Sequence, residues 1–194
     1  RSAAMVEKFG YRAVMSFGLG AVAVALGALS VIQIDTPIWV VLVVFFIFGF
    51  GMGNVIAPAS TVMQNVLPLA RAGAGSAVQN TVRQVGGALG VAVIGTILAT
   101  RYATNVEPFL GNLPAEIPDQ AKEVASESII GTVSVLNQAA ENGLPAATVA
   151  QLQSGAFEAF LNASHITSLI STVIVIIAFL IVLFGLPKID PPQK

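Results

Sequence analysis

Four stretches of this chain, residues 13–34, 37–66, 75–100 and 163–186, are long, apolar and almost free of charge, and each exceeds the ~20 residues that a helix needs to cross a ~30 Å hydrocarbon layer. No other feature limits the fold so tightly. Inside lipid every backbone amide must bond within its own segment or a closed barrel, so single runs of this length are read as transmembrane helices. Of the 194 residues, 55% are apolar and 10% charged, which places the chain among integral membrane proteins. The expected fold is all-α and polytopic: four transmembrane helices and a helical external loop.

Local signals set the boundaries. Asp35 ends the first span, and Thr36 followed by Pro37 reads as an N-cap with a first-turn proline. Trp39 stands where an interfacial aromatic belongs, and Pro68 with Arg71 closes the second span before a short loop at 67–74. The third span ends in Arg101 and Tyr102 at the opposite interface. Residues 101–162 form the external loop, where Pro118 and Asp119 open one amphipathic helix. Its apolar residues are Val124, Ile129, Ile130, Val133 and Leu136, and Asn142 and Gly143 close it. A cap packed on the helix ends and a membrane-surface or partner-binding helix are both open readings of this segment. A further helix is expected after Pro145, continuing into the fourth span.

The net charge of -1 conceals a segregated distribution. Arg1, Lys8, Arg12, Arg71, Lys188 and Lys194 fall on the side of the two termini, against Arg101 and Lys122 on the other. By the positive-inside rule the loop at 1–12, the loop at 67–74 and the tail at 187–194 are cytoplasmic, which suits the plasma (inner) membrane. The lipid bilayer is the expected partner; nothing indicates nucleic acid.

On a helical wheel the third span places Ser76, Asn80, Arg83, Gly87 and Gly90 within about 40° of one line, with Gln79 and Gly86 beside them. Gly51, Asn54, Pro58, Thr61 and Asn65 make a matching stripe on the second. Gly49 with Gly53, and Gly86 with Gly90, have the GxxxG spacing that lets helices approach, so packing explains part of this pattern. Arg83 tips the balance. Its Cα lies roughly 12 Å along a helix that starts near Gly75, and a central arginine costs on the order of 3 kcal/mol on insertion scales. Such a cation faces water or protein along a pathway, or pairs across helices. Asn54, Pro58, Thr61, Asn65, Ser76, Gln79, Asn80 and Arg83 are therefore the candidate substrate or gating residues. Pro58 has no amide hydrogen for the carbonyl of Asn54 and should kink the helix, either as a hinge or merely to shape the bundle.

Several chemistries find no support. Cysteine is absent, which removes disulfides, thiolate metal sites and cysteine nucleophiles. His165 is the single histidine and has no second ligand, so no metal site is expected. Gly49, Gly51 and Gly53 resemble a dinucleotide loop, but Ile56 stands where the third glycine belongs. Gly73 to Ser76 lacks the lysine of a phosphate loop. The sequon at Asn162 is taken as chance. No enzyme and no cofactor are expected.

Glu7, Lys8, Gly10 and Arg12, just before the first span, resemble the cytoplasmic loop signature of the major facilitator superfamily. Ala3 replaces its leading glycine, Glu7 its aspartate and Tyr11 a basic residue, as in the weaker second copy that such proteins carry. The stretch from Gly49 to Gly95 is similar to the last-but-two and last-but-one spans of the fourteen-helix drug:proton antiporter branch. The long external loop before the final span also fits that branch. The resemblance implies the last four helices of a transporter of about fourteen, built from triple-helix repeats, whose missing N-terminal helices complete the cavity. It implies export of hydrophobic or cationic small molecules with the proton gradient as energy source. The second and third spans would then face the cavity, and the first and fourth lipid. None of the four spans contains Asp or Glu, so the proton-carrying carboxylate is expected in the missing part. Two alternatives stand beside this: an independent four-helix oligomeric channel, and a nonfunctional truncated product.

Overall fold

The computed structural model describes residues 2–65, 72–111 and 117–186. It is all-α: α1 (Ser2–Leu29), α2 (Ile38–Asn65), α3 (Ala72–Leu110), α4 (Asp119–Glu127), α5 (Ile129–Glu141) and α6 (Ala146–Gly185). Helices α1, α2, α3 and α6 are long and apolar enough to cross a membrane, so the chain is a multi-pass membrane protein. Two compact units can be separated, one of residues 1–31, 37–91 and 168–194, the other of residues 32–36 and 92–167.

In the first unit α1 and α2 form an antiparallel pair. Val6, Tyr11 and Val14 of α1 make a buried cluster against Val62 of α2. Further along, Gly18 meets Gly51 so closely that a Cβ on either would stand 2.7 Å from the other's carbonyl oxygen. Glycine is what permits this approach, and Phe17 packs edge-on against Phe50 at 6.2 Å beside it. Helix α6 comes near α1 at Gly20 and Gly27, opposite Phe179 and Thr172.

Residues 1–12, read from sequence as a loop, are helical from Ser2 onward, with a break at Gly10 (φ 80°, ψ 161°). That backbone region is open essentially only to glycine, which explains how one helix can change direction there. The turn before α2 also differs from expectation. Thr36 Oγ1 accepts from the Gln33 amide at 2.8 Å, closing the 33–36 turn instead of capping the helix. Helix α2 is continuous across Pro58.

The second unit holds the C-terminal part of α3 and the N-terminal part of α6 together with α4 and α5. At 39 and 40 residues, α3 and α6 are each roughly 60 Å long, about twice the hydrocarbon thickness. Much of what reads as loop at 101–162 is therefore helix extension. Small residues on α6, Ala156, Ala159 and Ala163, let α3 approach and bury Tyr102 and Val106. Leu136 of α5 packs with Val149 and Leu152 to extend this core. His165 Nε2 lies 2.5 Å from the Ile32 carbonyl and, since a carbonyl only accepts, must donate its proton.

The single amphipathic helix expected from Asp119 to Glu141 is two. Ser128 adopts an extended backbone (φ -161°, ψ 154°), and its hydroxyl caps α5 by accepting from the Gly131 amide at 3.1 Å. This break rotates the inward face, leaving Ile130 79% exposed while Thr132 and Leu136 are buried. Tyr102 is a core residue, 2% exposed. Thr132 Oγ1 gives its proton to the Ala125 carbonyl at 2.6 Å, so Tyr102 Oη, 2.5 Å away, is the donor to Thr132. Thr132→Val should destabilise this unit by about 2 kcal/mol, because it orphans a buried hydroxyl and a buried carbonyl together. Faster proteolysis of the 117–145 segment in the variant is the check.

Candidate functional site

Four of the eight candidate pathway residues come together. Ser76, Gln79, Asn80 and Arg83, spaced over two turns of α3, line a cleft of about 140 Å³ shared with Ser60 of α2. Gln79 Nε2 donates to Ser60 Oγ at 2.9 Å, a polar bridge between the two helices. Arg83 Nη2 donates to Asn80 Oδ1 at 3.3 Å, and this (i, i+3) contact is its hydrogen bond among the described residues. Because a guanidinium only donates, it fixes Asn80 with its oxygen toward Arg83 and its amide hydrogens turned elsewhere.

The remaining candidates are placed differently. Asn54 is 5% exposed and sits on the α1 side of α2, its Cβ facing Gly18, while its Nδ2 donates to the Phe50 carbonyl at 2.8 Å. Pro58 is buried on the same face as Gly51 and Val62. The expected stripe from Gly51 to Thr61 is thus split. Its first part is an α1–α2 packing surface, because the Gly18–Gly51 approach turns that flank inward and α1 is not left to lipid alone. Thr61 is exposed and bonds back to the Ala57 carbonyl at 3.1 Å, within its own helix. The side chain of Asn65 and all of Arg71 lie outside the described residues.

The glycine pairs expected to pack have no close neighbour among the described residues. Among the described residues a Cβ at Gly49, Gly53, Gly86 or Gly90 meets nothing within 4 Å, whereas Gly18 of α1 and Gly51, midway between Gly49 and Gly53 on α2, make the close contact. In the loop signature, Glu7 and Lys8 are exposed and Arg12 is half-buried. The Lys8 Nζ stands 5.4 Å from the centre of the Phe9 ring, a cation–π geometry. Tyr11, which departs from the signature, is 3% exposed and serves the α1–α2 core.

Ser60 is the residue that sequence reading missed. It lies 100° from Thr61 on the wheel, off the stripe drawn through glycine, asparagine and proline. The usable signal was the single serine of the α2 span, spaced to meet a glutamine on the next helix. Along residues 73–91 of α3 both the polar line and the apolar one, including Val78, Val82 and Leu89, are exposed within this chain.

The chain is 30% identical over 176 residues to the Multidrug efflux pump LfrA of Mycolicibacterium smegmatis, covering 91% of this chain and 33% of that protein. It is 24% identical over 201 residues to the Tetracenomycin C resistance and export protein of Streptomyces glaucescens, 100% of this chain and 35% of that one. Over 100 residues it is 33% identical to the Uncharacterized MFS-type transporter YhcA of Bacillus subtilis, 52% of this chain and 19% of that protein. It therefore spans about a third or less of the length of these relatives. No solved structure gives a significant match. Residues 2–91, which hold the kinked signature helix, the α1–α2 pair and the Arg83 cleft, match the family profile described as Major Facilitator Superfamily.

Proposed function

We propose that these helices are the C-terminal portion of a proton-driven exporter of small hydrophobic or cationic molecules, of the fourteen-helix branch, in the plasma membrane with both termini cytoplasmic. The observation that carries the reading is the cleft between α2 and α3, where Arg83 places a fixed cation among hydrogen-bonding groups inside a membrane-crossing helix. Relatives named as efflux and resistance proteins support it, as does the bias of Lys and Arg toward the side of the termini. The long segment between the membrane portions of α3 and α6 suits the fourteen-helix branch.

No cofactor is required; the proton gradient supplies the energy. The carboxylate that carries the proton belongs to the N-terminal helices, since the apolar spans 13–34, 37–66, 75–100 and 163–186 contain no Asp or Glu. Ethidium accumulation in cells tests the proposal. Cells making the protein at its natural length should hold severalfold less dye than cells with empty vector, and a proton uncoupler should erase the difference. Equal accumulation rejects export, and a difference that survives the uncoupler rejects proton drive.

A further inference from the structure

The groups that line the α2–α3 cleft are unequal in kind. Arg83 donates one hydrogen bond to Asn80 and has further N–H groups to give. Asn80 has both amide hydrogens free of any described acceptor once its oxygen is taken. Ser60 accepts from Gln79, so its own hydroxyl proton is available, and Ser76 contributes a second hydroxyl. The acceptors beside them, the amide oxygen of Gln79 and the remaining lone pairs of the two hydroxyls, are all neutral, so the one charged group lining the cleft is a donor. Neither α2 nor the membrane portion of α3 holds a carboxylate to neutralise the guanidinium.

A site of one fixed cation and a surplus of donors attracts an anion and repels a cation. Size narrows this further. About 140 Å³ is well below the roughly 300 Å³ of a pocket that encloses a drug-sized molecule, but ample for a small charged head. We infer that the cleft of Ser60, Ser76, Gln79, Asn80 and Arg83 receives an anionic oxygen group, a carboxylate in class, with the body of the bearer outside it. This deepens the transport reading and rests on it. Cationic compounds, which the family resemblance implies as substrates, would then bind outside this cleft. The carboxylate comes either from the transported compound or from another membrane helix of the protein, and both sources offer the same chemistry to Arg83.

Three shape-matched probes separate the cases: 2-naphthoate, its neutral methyl ester and 2-naphthylmethylammonium. Binding is measured by equilibrium dialysis on the protein at its natural length in zwitterionic nanodiscs, with empty discs as reference. Naphthoate should be retained above empty discs, while ester and amine are not. Retention should fall about tenfold in Arg83→Gln and about fivefold in Ser60→Ala, in line with losing a charged and a neutral hydrogen-bonding partner. The serine variant covers the case in which the arginine variant fails to fold. This pattern assigns the carboxylate to the transported compound. If naphthoate is not retained, but Arg83→Gln shifts the pH of half-maximal export by one unit or more, the carboxylate belongs to another helix. Amine bound as tightly as acid overturns the inference, as does the absence of both naphthoate retention and a pH shift. Naphthoate binding by a protein that exports nothing would leave the cleft assignment standing and remove the exporter reading.

Discussion

Replacing Arg83 by alanine should lower export at least about tenfold while leaving the amount of protein in the membrane unchanged or raised. The two halves have separate causes. A central arginine opposes insertion by about 3 kcal/mol, so its removal favours membrane entry. Within this chain the side chain makes one exposed 3.3 Å bond to Asn80, so folding loses little. Transport, by contrast, loses the one fixed charge of the α2–α3 cleft. A hydrogen bond to a charged group contributes about 1.5–3 kcal/mol, and each 1.36 kcal/mol in a transition state is a factor of ten. Arg83→Lys should fall between, because an ammonium keeps the charge but not the planar fork. Export rates in proteoliposomes under an imposed proton gradient, normalised to protein by immunoblot, give the answer; an alanine variant with wild-type rate would remove Arg83 from the pathway.

The second large effect belongs to packing. Gly18→Ala and Gly51→Ala should each destabilise the α1–α2 pair by about 2–3 kcal/mol, because the added methyl meets a backbone carbonyl that has no rotamer to move to. The helices must part, and the surrounding contacts of Val22, Val55 and Asn54 loosen with them. The double variant should cost less than the sum, since separation forced by one methyl already makes room for the other. Gly49→Ala and Gly53→Ala, whose methyls enter open space within this chain, should change stability by less than about 0.5 kcal/mol. Unfolding of the purified chain by SDS in mixed micelles measures all four, and greater sensitivity at Gly49 or Gly53 would refute the helix register.

The contrast between these glycines shows what a sequence pattern conveys. GxxxG spacing marks where helices can approach, and it occurs at several places in this chain; which pair is used depends on the crossing helix, and α1 was expected to face lipid. The same holds for the polar stripes. The wheel grouped Ser76, Asn80 and Arg83 correctly because one regular helix carries them all. It failed to say that the upper part of the α2 stripe turns toward α1, or that Ser60 is the group that meets Gln79. In the 117–145 segment, Ser128 acted as a cap inside what looked like one amphipathic period, and that reversal exchanged exposed Ile130 for buried Thr132.

By itself the sequence determined that the chain is helical and crosses a bilayer four times, because hydrocarbon length and backbone hydrogen bonding leave a long apolar segment no other form. It also placed a lone cation within one of those helices. Only tertiary structure decided which flanks meet: that Gly18 and Gly51 face each other, that Tyr102 points into a core shared with α5 and α6, and that a serine on α2 completes the arginine's cleft. These depend on short-range contacts between segments distant in sequence, where a rotation of one residue moves a side chain 100° around its helix, and no periodicity along a single helix contains that angle.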